Sequence, residues 1–135
     1  MHRVMLAVCL VVLCVLPARA QTMESGEGAW YRIHLGTGVG DKAVSRDLLK
    51  SFIDQQITPH FPNGLTITEA RGQWKSEEYG VIRERTIVID IRCPDTEESG
   101  NKIAEIAKGY VERFKGAKAS VYVTKISGVA STLYY

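Results

Sequence analysis

Between Thr58 and Trp74 the chain reads T-P-H-F-P-N-G-L-T-I-T-E-A-R-G-Q-W, and these residues leave few choices of fold. Pro59 lacks a backbone donor and pushes Thr58 out of helical geometry, so a helix that precedes it ends by Ile57. Pro62-Asn63-Gly64 builds a turn, because proline sets the first dihedral while Asn and Gly accept positive φ. Leu65-Thr66-Ile67-Thr68 then alternates apolar and polar residues, the pattern of a half-buried strand. Phe61, between the two prolines, is placed to plug the turn into a core. A helix enters this stretch and a sheet leaves it.

The flanking patterns complete the plan. Trp30 to Leu35 reads as a first strand, with Tyr31, Ile33 and Leu35 on one face and Arg32 and His34 on the other. Ser45 is a suitable N-cap for a helix to about Ile57, with Leu48, Leu49, Phe52 and Ile53 on one stripe. The second strand runs through Trp74, and Lys75 to Gly80 is a charged connection. Val81 to Arg92 is the longest strand expected, with Ile87, Ile89 and Ile91 inward and Thr86, Val88 and Asp90 outward. Asp95 and Glu98 have capping-box spacing for a second helix, whose stripe is Ile103, Ile106, Ala107, Tyr110, Val111 and Phe114. Gly116 closes that helix, Ser120 to Ile126 is the last strand, and residues 128–135 form a tail.

The order β-α-β-β-α-β predicts a ferredoxin-like α+β domain over residues 30–127, with two helices on one face of a four-stranded antiparallel sheet. The other face is left open. Ile82, Val88 and Tyr122 make it more apolar than water alone requires, which points to dimerisation or ligand binding.

The first twenty residues stand apart. Arg3 precedes an apolar run from Val4 to Leu16, Pro17 ends it, and Ala18-Arg19-Ala20 supplies a small-x-small cleavage pattern. The run is too short for a membrane anchor, which takes roughly twenty residues, so we expect a signal peptide over residues 1–20 and a periplasmic or secreted product. Cys9 and Cys14 lack the small residue that lipid attachment requires before them. Cleavage removes Arg3 and Arg19, so the 17 basic residues fall to 15 against 15 acids. A near-neutral chain carries no electrostatic footprint for nucleic acid. Only Cys93 survives cleavage, which rules out an internal disulfide. Residues 21–29 are expected as a flexible lead-in.

Few residues commit to chemistry. Gly36-Thr37-Gly38-Val39-Gly40-Asp41-Lys42 fits neither phosphate-loop pattern and reads as a strand-to-helix loop. His34 and His60 lack close-spaced ligand partners, so neither a metal nor a cofactor is expected. Arg71, Gln73, Trp74, Arg83, Glu84 and Arg85 form the most informative set. If the second and third strands pair as a hairpin, these residues fall side by side, and guanidinium groups beside a carboxylate can hold a small anion against Trp74. The same set also fits a structural ion-pair network with a core tryptophan. The first function expected is an exported binding or interaction module, a homodimer through its open sheet face, whose partners include a small anionic ligand or another exported protein. The alternative is a small isomerase- or lyase-like enzyme, with Glu84 as general base and Arg83 or Arg85 and His60 acting on a small anionic or cyclic substrate.

T-P-H-F-P-N-G-L-T, G-Q-W at Gly72 to Trp74, R-E at Arg83-Glu84, G-Y-V-E-R-F from Gly109 to Phe114, and Ser120-Val121 occur in this order. In this the chain resembles the small secreted bacterial proteins of domain-of-unknown-function family 3574, over roughly Trp30 to Val123. Leu49 stands where that family usually has tryptophan, and Thr86 where it usually has serine after R-E. The resemblance implies a secreted α+β domain and no established activity.

Overall fold

The computed structural model describes residues 22–134, and the side chains of residues 28–128. The expected signal peptide lies outside the described residues. Six elements carry the architecture: β1 (Thr22–Gly36), α1 (Arg46–Phe52), β2 (Leu65–Ser76), β3 (Gly80–Pro94), α2 (Glu97–Arg113) and β4 (Ser120–Tyr134). The four strands form one sheet in the order β2-β3-β1-β4, antiparallel at every pairing. This is the ferredoxin-like arrangement expected from the element order. Among the described residues, no helix is long and apolar enough to cross a membrane.

Alternation puts Tyr31, Ile33, Leu35, Ile87, Ile89 and Ile91 on one sheet face, where they merge with Leu49, Phe52, Ile53 and Ile57 of the first helical segment. Ile103, Ile106, Tyr110 and Phe114 of α2 join the same cluster, so both helices cover that face. Phe52, Tyr110 and Phe114 meet edge-to-face, with ring centroids 4.9–5.9 Å apart. Each such pair contributes about 1 kcal/mol beyond its buried area. Phe61 is buried, and Gly64 takes φ of 115°, which completes the Pro62-Asn63-Gly64 turn.

Several boundaries differ from expectation. Ser45 caps α1 by accepting from the Leu48 N–H, but the α-helix stops at Phe52. A π-helical turn over Ile53–Ile57 and a 3-10 turn over Thr58–His60 follow, so Thr58 keeps helical dihedrals (φ −53°, ψ −41°). Pro59 is taken into the first turn of the 3-10 segment, where its missing N–H costs nothing, instead of pushing Thr58 out of helical geometry. Thr96, not Asp95, caps α2 by accepting from Ser99 N, because Asp95 is drawn 2.6 Å from Lys125 on β4. Residues 22–29 are strand rather than flexible lead-in, and β4 runs on through the expected tail. The two segments pair with each other from Gly28↔Gly128 to Thr22↔Tyr134, so backbone pairing decides what a polar, Gly-rich composition does not reveal. The registers of β2 and β3 run without a bulge, so the faces do not exchange near Arg83 to Thr86.

Candidate functional site

The β2–β3 hairpin outruns the rest of the sheet. Its ladder extends to Ser76↔Gly80, whereas β1 leaves β3 at Gly36↔Thr86 and β4 begins opposite Gly36 at Ser120. Beyond Thr86 the two strands form a ribbon that, among the described residues, no third strand joins. The Ser76 hydroxyl closes the tip by accepting from the N–H groups of Glu78 and Tyr79 at 3.2 Å, and Gly80 supplies φ of 69°. The period of two then sorts the ribbon. Arg71, Gln73, Arg83 and Arg85 continue the helix-side face of Ile87. Gly72, Trp74, Ile82 and Glu84 continue the open face.

On the helix side, Arg71 lies directly opposite Arg85, and Gln73 opposite Arg83. The Arg85 guanidinium donates to the Val44 carbonyl at 2.8 Å, which fixes it against the approach to α1. Thr37 holds the same residue from behind, its N–H and hydroxyl both donating to the Arg85 carbonyl at 3.1 and 2.9 Å. Arg46, at the start of α1, faces the ribbon and meets Glu69 at 3.2 Å. Arg46, Glu69, Arg71, Gln73, Arg83 and Arg85 line a groove of about 900 Å³, which Glu84 also borders.

Glu84 projects to the other side. Its Oε2 accepts from the Gly38 N–H at 2.8 Å, and the Ser120 hydroxyl donates to Oε1 at 3.4 Å. Gly36 makes room for it, and Gly72 makes room for the neighbouring Thr86 hydroxyl. A Cβ on Gly36 would lie 2.6 Å from Oε1 and 2.3 Å from the Ser120 hydroxyl, and one on Gly72 would lie 3.7 Å from Oε1 and 2.5 Å from the Thr86 hydroxyl. Gly38 takes φ of 74°, packed so closely on Ala117 that a Cβ would sit 1.9 Å from its carbonyl oxygen. Below this carboxylate, the buried Tyr110 hydroxyl donates to the Gly36 carbonyl at 3.1 Å. Burial raises the Tyr110 pKa above its ordinary 10.0, and the nearby Glu84 charge raises it further. Trp74, Tyr79, Ile82 and Glu84 wall a cleft of about 610 Å³ between the ribbon and the Gly38–Lys42 and Gly116–Lys118 segments. Lys118 Nζ lies 5.3 Å over the Tyr79 ring, so a cation already stacks on an aromatic wall there.

The open face proper carries a third arrangement. Arg32 and Asp90 pair in bidentate fashion, at 2.7 Å from Nε and 2.9 Å from Nη2, and the Trp30 indole donates to the same carboxylate at 3.2 Å. Hydrogen bonding to Arg32 holds the Asp90 carboxyl below its usual range. Around this pair stand Trp30, Tyr122 and Ile126, exposed by 50%, 64% and 66%. The rings of His34 and Tyr122 meet edge-on at 5.5 Å.

The residues singled out from the sequence thus divide three ways. Arg71, Gln73, Arg83 and Arg85 come together in the helix-side groove. Trp74 and Glu84 share the cleft on the opposite face, where Trp74 is half exposed instead of core. His60 sits at the far end of the sheet beside Phe61, Asn63, Arg92 and Cys93, away from both. A single pocket holding Arg71, Trp74 and Glu84 is therefore not formed, because adjacent strand residues face opposite ways. Sequence reasoning missed Arg46, Ser120 and Tyr110. The paired glycines at 36 and 72 carried the usable signal, since glycines on strands often mark a close approach.

Residues 31–131 match the family described as "Protein of unknown function (DUF3574)". The chain belongs to that family. No curated protein matches the sequence. Among solved structures, the chain is similar to a phage SAM lyase in complex with S-methyl-5'-thioadenosine, at 22% identity and a TM-score of 0.56, over 79% of this chain and 90% of that one. It is also similar to CutA from Synechococcus elongatus PCC7942 complexed with a Bis-Tris molecule, at 6% identity and a TM-score of 0.51, over 82% and 90% of the two chains. At these identities the likeness concerns the fold.

Proposed function

We propose that this member of the family is an exported binding domain whose open sheet face receives a second copy of itself. The observation that carries the reading is the exposure of Trp30, Tyr122 and Ile126 around an Arg32–Asp90 pair that is closed on itself. A covering surface would meet neutralised charge ringed by apolar and aromatic side chains, the combination that marks association sites. A further support is the ribbon of β1 and β4 beyond Gly28, which no third strand joins among the described residues, whereas two strands alone are marginal in water. A stable pairing needs about 1,600 Å² of total buried surface. Light scattering on the chain from Gln21 onward tests the reading. A dimer or larger closed assembly is expected, converted to monomer by Trp30→Ala with Ile126→Asp; a wild-type monomer at high micromolar concentration sinks it. Export is tested separately, by mass analysis for cleavage after Ala20.

The cradle around Glu84 favours a second reading, a small enzyme with Glu84 as its base. The carboxylate is oriented by the Gly38 N–H and the Ser120 hydroxyl, and among the described residues no cation pairs with it. Trp74 and Tyr79 beside it suit a flat or cationic substrate more than the small anion expected from the sequence. Incubation with SAM, following release of S-methyl-5'-thioadenosine, tests this directly. Release that survives Glu84→Gln, or no release by the wild type, removes it.

A further inference from the structure

We infer that the helix-side groove of the β2–β3 ribbon is a binding site for a small multivalent anion, a phosphate ester or a di- or tricarboxylate. The inference is independent of the open face and of Glu84. Arg71 and Arg85 stand directly opposite one another on paired strands, where like charges destabilise the pair. Arg83 and Arg46 line the same groove, and of the two acids at its wall Glu69 is engaged by Arg46 while the Glu84 carboxylate is turned to the Gly38 N–H and the Ser120 hydroxyl. Among the described residues, neither Arg71 nor Arg83 meets a carboxylate within ion-pair distance. This is not an ion-pair network, because the acids at the groove wall, Glu69 and Glu84, are bonded to Arg46 and to the Gly38–Ser120 pair instead. General basicity does not explain it either, since the chain beyond Ala20 has equal numbers of acidic and basic residues.

The chemistry of guanidinium groups narrows the ligand. Their planar forks match the paired oxygens of phosphate and carboxylate, which a point charge such as chloride does not exploit. Arg85 is preorganised by its bond to Val44, so less side-chain freedom is lost on binding than at an unrestrained arginine. Arg71 and Arg83 are exposed and free to close around the ligand, Arg46 is exposed beside its partner Glu69, and Gln73 adds a neutral donor. The groove, about 900 Å³ and open to solvent, has room for a ligand with two or three anionic groups.

Isothermal titration of the chain from Gln21 onward with inorganic pyrophosphate and with citrate, at matched low ionic strength, tests the inference. Saturable binding of either probe is expected, and the tighter probe identifies a phosphate or carboxylate source. Arg71→Ala with Arg83→Ala should weaken binding by at least about a hundredfold, roughly tenfold for each guanidinium removed. Lys108→Ala, which removes an exposed charge from α2, should leave binding unchanged. If the double variant unfolds, Arg71→Gln alone carries the same test at about tenfold. Absence of saturable binding by both probes, binding retained in the arginine variants, or equal loss in Lys108→Ala each overturns the inference.

Discussion

The two faces of the β2–β3 ribbon are built from alternating residues of the same strands, yet their charges are handled in opposite ways. On the open side, Glu84 has two donors and Gly36 cleared beside it, so its carboxylate is placed and partnered within the fold. On the helix side, Arg71 opposes Arg85, and among the described residues the acid beside them, Glu69, pairs with Arg46 instead. The first face resembles a finished internal site. The second is held together by backbone pairing and waits for charge from outside. The comparison also shows why Arg83-Glu84-Arg85 misleads as a string: three neighbouring charges look like one constellation, but a strand deals them to two surfaces.

The largest expected effect attacks the finished side. Gly38→Ala combines a left-handed φ of 74° with a Cβ aimed 1.9 Å from the Ala117 carbonyl oxygen. Backbone atoms cannot swing aside as a side chain can, so the loop must move and the N–H that orients Glu84 moves with it. Strain and overpacking together should cost about 3 kcal/mol, read as a fall in urea midpoint with an unchanged m-value. Gly72→Ala, whose Cβ meets the Thr86 hydroxyl and the Glu84 side chain, should cost about 1 kcal/mol. Equal losses would mean that the cradle is not rigid.

The middle effect is pH-dependent. Tyr110 is buried, donates to the Gly36 carbonyl, and has a pKa raised first by burial and then by Glu84. A folded pKa above the unfolded value means that the fold favours the protonated phenol. Its contribution is therefore complete below about pH 10 and is lost as pH rises from there through the folded value. Tyr110→Phe should cost about 1.5 kcal/mol at neutral pH and flatten the stability decline above pH 10. Urea unfolding at pH 8 and pH 11 measures both. An identical alkaline decline in the variant would detach Tyr110 from the Glu84 side.

The elements themselves were legible because their signals are local. The turn at Pro62-Asn63-Gly64 and the alternation of Ile87, Ile89 and Ile91 act over a few residues, and the structure keeps both, whereas Pro59 does not force Thr58 out of helical geometry. What sequence reading missed depends on partners far along the chain. Thr22 to Gly28 reads as a loose lead-in until β4 pairs with it. Arg46 enters the groove from a helix start 25 residues before Arg71, and Ser120 reaches Glu84 across a separation of 36 residues. Composition alone leaves Trp74 between core and stacking wall, and only the register places it on the exposed face.

The smallest effect probes the unfinished side, and its sign matters more than its size. If Arg71 and Arg85 repel across the ladder, Arg71→Glu turns a like-charge pair into an opposite-charge pair at the same position. Cross-strand pairs of this kind contribute roughly 0.2–1 kcal/mol, so the variant should be more stable than the parent by about 0.5 kcal/mol. Raising the salt concentration should shrink the gain, because Arg71 is exposed and the interaction is screened. The same substitution should abolish pyrophosphate and citrate binding. Stability gained while binding is lost is what separates a functional charge cluster from a structural one. In a structural network, Arg71→Glu would remove a stabilising partner and lower stability along with everything else.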